Sequence, residues 1–422
     1  MNLQPLQQAM AMSPELADWQ QAERQEALDA LLASGFPGRK DEAWKYTRAD
    51  AFAAFATSAA GRTTPADVDT TAMAQAYLTR CEASYAVVLV DGVLQPDLIQ
   101  LPTGVDVTTR QQRLPVGEGT EAAMSNLARA IPASDLVINA SADVDIDEPV
   151  HLLQLVTDGQ LAQSLIQITL APNARVGIAE HVIAADGASD LMTNTAMQIQ
   201  LADHASLRHS RLQQLNGDAL QATRIDATLA EHAALSTFTL DVGARLVRND
   251  LNVRLEGEHS NVEMRGLYLL DDAQHVDNHT RVDHVARDTR SDEDYRGILR
   301  DKSRAVFNGK VVVHVGADGT NAAQSNPNLL LSDHAEIDTK PELEIYADDV
   351  KCAHGATVGQ LDETALFYLR SRGVSESVAT QLLTYAFCRE VLQDHDGPAL
   401  RRMTEQLLAQ QIPEFTALDI IE

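Results

Sequence analysis

The heptapeptide Leu201-Ala-Asp-His-Ala-Ser-Leu207 recurs with small changes along the middle of the 422-residue chain. It returns as Leu229-Ala-Glu-His-Ala-Ala-Leu235, and an earlier copy reads Leu170-Ala-Pro-Asn-Ala-Arg-Val176. Weaker copies begin at Leu255 and Leu331, and the first four copies start 31, 28 and 26 residues apart. Each copy joins one aliphatic strand to the next through a polar turn. A unit of this size cannot bury its own apolar face, so successive units must stack on one another.

Stacked units of this kind are typical of a β-solenoid, with one coil per repeat and ladders of aliphatic side chains inside. An antiparallel sandwich of hairpins accounts for the same spacing, because periodicity alone does not fix strand direction. Strand-like patterns begin at about Leu136 and continue to Arg372. We therefore predict one continuous β core over residues 136–372.

Helical patterns precede this core. A helix is predicted over residues 13–34, with Ser13 as its N-cap, and another over residues 119–131. Between them, Tyr85 to Pro96 predicts a short hairpin that turns at Asp91-Gly92. Residues 1–135 thus form a mostly helical N-terminal region with one hairpin.

Helical patterns also follow the core, over residues 373–422. The first predicted helix runs from Ser375 to about Gln393, and the second from Leu400 to about Gln410. An apolar stripe marks the first helix, formed by Val378, Leu382, Leu383 and Ala386. Two such helices at the end of a solenoid serve as a cap against edge-to-edge association, as a docking surface, or as both.

Composition restricts the class of protein. Acidic residues outnumber basic ones 61 to 33, for a formal charge of -28, and such a field repels the phosphates of nucleic acid. The three cysteines contain no Cys-x-x-Cys pair, which argues against a secreted disulfide scaffold and suits a reducing compartment. No charged segment leads into an apolar run as in a signal peptide, and no apolar run is long enough to span a bilayer. We expect a cytoplasmic, soluble protein.

The stretch Asp338–Gly359, DTKPELEIYADDVKCAHGATVG, concentrates the groups that could perform chemistry. Cys352 and His354 are two residues apart, so on a strand they share one face. Thiolate and imidazole are common ligands of iron and zinc. Two ligands are too few for a closed structural zinc site, which takes four, unless a second chain supplies the others. The alternative interpretation is a buried cysteine beside a hydrogen-bonded histidine.

Three other patterns suggest weaker sites. His275, Asp277 and His279 would share a strand face, and we interpret them as the polar outer face of a coil rather than as a metal site. The adjacent Asp348 and Asp349 would point to opposite faces of a strand, so a solvated turn is favoured over a glycosidase-like carboxylate pair. Asn308-Gly309-Lys310 lacks the remaining residues of a phosphate-binding loop.

Several sequence motifs in this chain, which occur in the same order as in the family, resemble the SufB/SufD family of iron–sulfur cluster assembly proteins, and in particular its SufD branch. They include the Cys-x-His segment, Ala305-Val306-Phe307-Asn308-Gly309 and Phe367-Tyr368-Leu369-Arg370-Ser371-Arg372-Gly373. An N-terminal motif, Glu42-x-Trp44-Lys45-Tyr46-Thr47, is also similar to one in this family. We expect Trp44 and Tyr46 to dock this region onto the core. The resemblance implies a mainly β fold, a right-handed parallel β-helix flanked by N-terminal and C-terminal α-helical regions.

The resemblance also implies a function. It suggests a non-enzymatic SufD-like component of the SUF complex, which pairs with SufB and with the ATPase SufC to build nascent iron–sulfur clusters at the subunit interface. His354 would be the metal ligand, with Cys352 beside it, and the C-terminal helices would contact the ATPase. When isolated, the chain would form a homodimer through its end coils. The sequence leaves open whether flavin binds the assembly. Two alternatives remain at this point, a structural adaptor that does not ligate iron and a β-helix carbohydrate-active enzyme.

Overall fold

A stack of parallel β coils forms the centre of the molecule in the computed structural model, which describes residues 3–11, 17–62, 68–392 and 398–411. The strands are β1 Tyr85–Val90, β2 Val93–Leu94, β3 Val105–Thr109, β4 Ser134–Ala140, β5 Val150–Val156, β6 Leu161–Leu170, β7 Arg175–Ala184, β8 Met192–Leu201, β9 Ser206–Gln214, β10 Leu220–Leu229, β11 Ala234–Val242, β12 Leu246–Leu255, β13 Asn261–Leu270, β14 His275–His284, β15 Arg290–Leu299, β16 Arg304–Val313, β17 Asn321–Leu330, β18 Glu336–Ile345 and β19 Lys351–Gly359. The helices are α1 Gln4–Ala11, α2 Asp18–Ser34, α3 Ala49–Ala59, α4 Thr70–Arg80, α5 Ala123–Ala130, α6 Glu363–Ser371, α7 Glu376–Leu392 and α8 Pro398–Gln411.

Alternate strands belong to two facing sheets, as a solenoid requires. The ten-stranded sheet has the order β19-β17-β15-β13-β11-β9-β7-β5-β1-β2, and the nine-stranded sheet has the order β18-β16-β14-β12-β10-β8-β6-β4-β3. From β4 onward all neighbours in both sheets are parallel, and each coil gives one strand to each sheet. The core is therefore a parallel β-solenoid of about eight turns, which confirms the predicted fold class and rules out the sandwich of hairpins.

The repeated heptapeptides form the turns between the sheets. In four successive turns the chain enters the left-handed region at Asn173, His204, His232 and His259, with φ of 62°, 59°, 57° and 60°. Asn and His tolerate this conformation better than most residues do. The three histidine rings stack in a column, with centroids 4.7 and 4.9 Å apart. The copy at Leu331 lies on the opposite edge of the solenoid, because it leads from β17 in the ten-stranded sheet to β18 in the nine-stranded sheet.

Inside the coils an aliphatic column and a polar column run side by side. Leu170, Leu201, Leu229 and Leu255 stack in register, and all four are buried. The polar column consists of Ser164, Thr195, Thr223, Asn249 and Asn278, which are also buried and in register. Some of these polar groups find partners across the interior; for example, Asn249 donates to Asp241 at 2.7 Å. Burying them without such bonds would destabilise the fold.

The N-terminal region supplies strands to the same sheets. The predicted hairpin is confirmed as β1 and β2, and β1 also pairs in parallel with β5. β3 pairs antiparallel with β4. These strands cover the first coils, where a parallel sheet would otherwise leave open edges.

Two boundaries differ from the prediction. Residues near the expected end of the strands form helix α6 instead, and Asp362 caps it by accepting from the Thr364 amide at 2.8 Å. An aspartate before a helical run is a strong N-cap, and this local signal outweighs the strand-like composition. At the other end, helix α2 begins at Asp18, and the predicted cap Ser13 lies outside the described residues.

Helices cover the outer faces of both sheets. α3 and α5 pack on the nine-stranded sheet, and α4 and α7 pack on the ten-stranded sheet, where side chains of α8 join the same core. The buried side of α7 consists of Ala379, Thr384, Cys388, Val391 and Leu392. The predicted stripe is thus offset from the observed one: Ala386 is exposed, and the other three residues are half-buried. Among the described helices, none combines the length and the apolar character that crossing a membrane would need.

Candidate functional site

The last coil of the solenoid holds Cys352 and His354 on one face of β19. In the parallel register, Cys352 lies beside Ala322 of β17 and His354 beside Gln324. Ala322 and Gln324 are buried and face the solenoid interior, so Cys352 and His354 continue two interior columns. β19 is the last strand of its sheet, and no further coil covers this face within the described residues. The prediction that the two side chains share a face is confirmed.

The two side chains differ in exposure. Cys352 is half-buried and packs against the edge of the core, and this burial raises the pKa of its thiol. His354 is exposed. An exposed imidazole can coordinate a metal ion from outside the chain through a neutral nitrogen, whereas burial leaves less of the thiol sulfur within reach. His354 is therefore the better placed of the two to meet a group from outside the chain.

A buried acid lies two coils behind His354 in the same column. Gln324 donates from Nε2 to Glu293 Oε2 at 2.6 Å, and Glu293 stands next to Gln324 in the register. Burial raises the pKa of Glu293 to about 7. A cavity at this end is lined by Glu293, Gln324 and His354 and by Glu390 of α7. The column thus places a buried carboxyl group, hydrogen-bonded to Gln324, two coils behind the exposed imidazole.

Apolar side chains surround the open end. Seven large hydrophobic residues are exposed in the described chain, and six of them belong to the last coils and α6: Val315, Ile345, Tyr346, Val358, Phe367 and Tyr368. Soluble monomers rarely leave so many together in water. β18 and β19 each have one unpaired edge at the same end. Exposed apolar groups beside open strand edges favour association with another chain.

The outer-face histidines belong to an ionic network. Asp277 accepts from Arg248 Nη1 at 2.7 Å and lies 3.0 Å from His279 Nε2, and Thr47 also donates to it. The neighbouring cations and hydrogen bonds lower the pKa of Asp277 against the effect of burial. Because the Asp277 carboxylate already forms an ion pair with Arg248, this supports the interpretation of the stretch as a polar outer face rather than a metal site.

The two remaining sequence patterns do not form a catalytic or phosphate-binding site. Asp348 and Asp349 are exposed in the turn between β18 and β19, and Gly319 donates its amide to the Asp349 carbonyl at 2.7 Å. This is the predicted solvated turn. Lys310 extends from strand β16 to Glu344 at 2.7 Å, so it does not belong to a phosphate-binding loop.

One group of metal-capable side chains was not predicted. Cys81, His151 and His181 are buried, and one ligand atom of each lies within 4.8 Å of the others. The separation of His151 and His181 by 30 residues, close to one coil, was a usable signal, although in register His151 lies beside Ala179 and His181 beside Leu153. Cys81 comes from the end of helix α4, and no sequence spacing relates it to the coils.

Comparisons with known proteins place these features in context. Residues 154–387 match the family described as SUF system FeS cluster assembly, SufBD core domain. The chain is 31% identical over 400 residues to the iron-sulfur cluster assembly protein SufD of Escherichia coli (strain K12), covering 92% of each chain. It is 31% identical over 393 residues to a SufBD family iron-sulfur cluster assembly protein of Synechocystis, covering 87% of this chain and 86% of the relative. It is 25% identical over 428 residues to the chloroplastic protein ABCI7 of Arabidopsis thaliana, covering 94% and 87%.

Proposed function

The chain belongs to the SufB/SufD family of iron–sulfur cluster assembly proteins, and from this membership we propose that it is the SufD-like, non-enzymatic subunit of a cytoplasmic SUF complex. In this role it pairs with a SufB-like subunit and with a SufC-like ATPase. A nascent cluster forms transiently where the SufB-like and SufD-like subunits meet. The cluster is cargo of the assembly and leaves for other proteins.

The observation that carries the proposal is the exposed inner face of β19. His354 lies in register with buried Gln324 and yet is exposed, because no further coil follows at this end of the stack. One imidazole supplies a single bond of a coordination shell that takes about four ligands. The remaining ligands must come from the partner subunit or from sulfide. An incomplete shell suits a site that is assembled and emptied between two chains.

The open strand edges support pairing at the same end. A partner that adds its own last coil to β18 or β19 would continue the sheets and cover the apolar patch at this end. His354 would then lie inside a joint between two solenoids. The water-excluded environment of such a joint strengthens bonds between a metal ion and its ligands.

The C-terminal helices support docking of the ATPase subunit. Their apolar sides already pack on the ten-stranded sheet, so their outer sides remain for a partner. α7 is also joined to the coils near His354, because Glu390 pairs with Arg296 of β15 at 2.6 Å. Force applied to α7 by a partner would reach β15 through this contact, a coupling through rigid elements.

The central test replaces His354 in the assembled complex. The chain is expressed with its SufB-like and SufC-like partners, purified without oxygen, and assayed for iron and sulfide per complex. His354→Ala should leave the complex intact and reduce bound iron, because the metal loses a ligand. Cys352→Ser should reduce it less, since the thiol is half-buried.

His334→Ala is the matched control, because His334 is an exposed histidine in the turn before β18. It should load iron as the parent does. Equal loading by the His354→Ala complex would remove the ligand role and leave a structural adaptor as the function of this chain.

The docking of the ATPase is tested by charge reversal on α7. Arg389 is exposed on this helix, and Arg389→Glu should weaken binding of the ATPase subunit in a pull-down or calorimetric titration. Arg254→Glu, on the exposed face of the nine-stranded sheet, is the control. Substitution is preferable to deleting residues 375–422, since deletion would also uncover the sheet beneath Cys388 and Val391. If the Arg389→Glu variant binds the ATPase subunit as tightly as the Arg254→Glu variant does, the ATPase subunit does not dock on this part of α7.

A further inference from the structure

A buried set of soft ligands lies far along the sheet from His354, where three parts of the chain meet. Cys81 ends helix α4, His151 belongs to β5 and His181 to β7. Helix α8 brings Met403, whose Sδ lies 3.5 Å from Cys81 Sγ. All four side chains are buried. Thiolate, imidazole and thioether together are ligands for zinc and copper-class ions.

The hydrogen bonds around the imidazoles have a consistent direction. Gln214 donates from Nε2 to the Tyr77 hydroxyl oxygen at 2.6 Å. Tyr77 therefore donates its own proton to His181 Nδ1 at 3.2 Å, and His181 Nε2 donates to His151 Nδ1 at 2.9 Å. One proton thus lies between the two nitrogens that face each other, and a metal ion that replaced it would need them to separate to roughly 3.3 Å, since each bond from zinc to nitrogen is about 2.0–2.1 Å.

The protonation states suit metal binding. Burial lowers the pKa of His151 to about 4 and that of His181 further, so both rings are neutral at pH 7. Neutral imidazole is the form that coordinates a metal. Burial raises the pKa of Cys81 to about 11, so the thiol is protonated without an ion and gives up its proton when an ion binds.

From this geometry we propose that Cys81 Sγ, His151 Nδ1 and His181 Nε2 form a binding site for one Zn²⁺-class ion, with the Met403 thioether beside it. Binding moves the His181 proton to Nδ1, which then donates to the Tyr77 oxygen, while Tyr77 donates to the amide oxygen of Gln214 after that amide turns over. The thiol proton passes to solvent. A ligating histidine that donates its second N–H to a fixed acceptor is the usual arrangement around such ions.

Such a site would join the N-terminal region, the first coils and the C-terminal helix. Arg402, next to Met403, already pairs with Glu82, next to Cys81, at 2.9 Å. An ion bound to the folded chain alone stabilises it by mass action. The site would thus hold the end of α4 against the first coils, beneath Met403 of α8, independently of cluster assembly.

The test uses the isolated full-length chain, stripped with a chelator and kept without oxygen. Zn²⁺ titration should give one tight equivalent per chain and raise the unfolding temperature. Co²⁺ should give a visible spectrum with a sulfur-to-cobalt charge-transfer band. Cys81→Ser should remove that band and weaken Zn²⁺ binding by more than about tenfold.

Three control variants should leave the site intact, and a fourth variant probes the hydrogen-bonded network. Cys352→Ser and Cys388→Ser should keep the cobalt band, and so should His354→Ala, which separates this site from the proposed function. Tyr77→Phe should keep the band while weakening binding by about tenfold, because His181 loses its acceptor. The proposal is overturned if the parent takes up no tight equivalent of Zn²⁺, or if Cys81→Ser binds Zn²⁺ as tightly as the parent does.

Discussion

At the scale of single residues, the solenoid interior places chemically different groups in one column. His354 is exposed, Gln324 behind it is buried, and Glu293 behind that is buried with a raised pKa. Position along the stack, and thus distance from the open end, determines the environment of each group. A carboxyl group that would ionise well below neutral pH in water holds its proton up to about pH 7 two coils from the end.

Glu293→Gln should reveal this effect as a change in the pH dependence of stability. The pKa of the carboxyl is about 7 in the folded chain and 4.5 as its ordinary value, so the unfolded chain loses the proton first as pH rises. Stability conferred by the protonated group is therefore present below about pH 4.5 and lost as pH rises through 7. Relative to the parent, the variant should gain up to about 3 kcal/mol by pH 8 and little at pH 5. Denaturant unfolding at both pH values measures this, and a parallel offset at the two pH values would contradict it.

At the scale of elements, the Trp44 side chain packs its segment of the N-terminal region onto the solenoid, in addition to the contacts of β1, β3, α3 and α5. Trp44 is 2% exposed, meets Phe52 edge-on, and lies under the Arg248 guanidinium, 4.5 Å from ring centroid to carbon. Arg248 also donates to the Ala43 carbonyl at 2.8 Å. The expectation that Trp44 docks this region is confirmed, whereas Tyr46 is only half-buried.

Trp44→Ala should therefore destabilise the chain by about 3–5 kcal/mol, the usual loss for a buried aromatic residue. Tyr46→Ala should cost about 1 kcal/mol, because its ring is partly in water already. Urea midpoints of the two variants compare the losses directly. Similar losses would mean that Trp44 does not anchor the region.

The sequence predicted these elements where a local signal agreed with the tertiary contacts. The leucines of the repeat predicted the coils because their side chains stack at one coil spacing, and Ser375 marked α7 to within one residue. α6 was missed because the aliphatic and aromatic residues around Phe367 read equally well as a strand, and only the Asp362 cap distinguished them. Cys352 and His354 were found because they are neighbours in sequence. The group formed by Cys81, His151 and His181 was missed because only the tertiary fold brings the end of helix α4 next to the two histidines.

At the scale of the whole molecule, the two ends of the solenoid are unequal. The first coils are covered by β1, β2 and β3 and by helices, and the last coil is exposed along both edges. The apolar residues concentrate at the exposed end. The molecule therefore has one direction in which it can extend, through a second chain.

The isolated chain should form a homodimer through this end. Ile345→Asp or Val358→Asp places a charge in the patch and should shift the mass from dimer to monomer at micromolar concentration, because a buried unpaired charge opposes association. Val93→Asp, at the exposed residue of the other end, should leave the dimer intact. Light scattering after size exclusion gives the mass. A monomeric parent, or a dimer that tolerates both end-coil substitutions, would place the contact elsewhere.

The unequal ends also affect the lifetime of an unassembled subunit. In a linear repeat each coil is held by its neighbours, and the last one has a neighbour on one side only. Backbone amides of β18 and β19 should therefore exchange with solvent deuterium much faster than those of β12 and β13, through fraying that begins at Gly359 and spreads inward. Binding of a partner would suppress this fraying. A subunit left without its partner would present a loosened end to cellular proteases, so the surface that forms the complex also marks the chains that have not yet joined one.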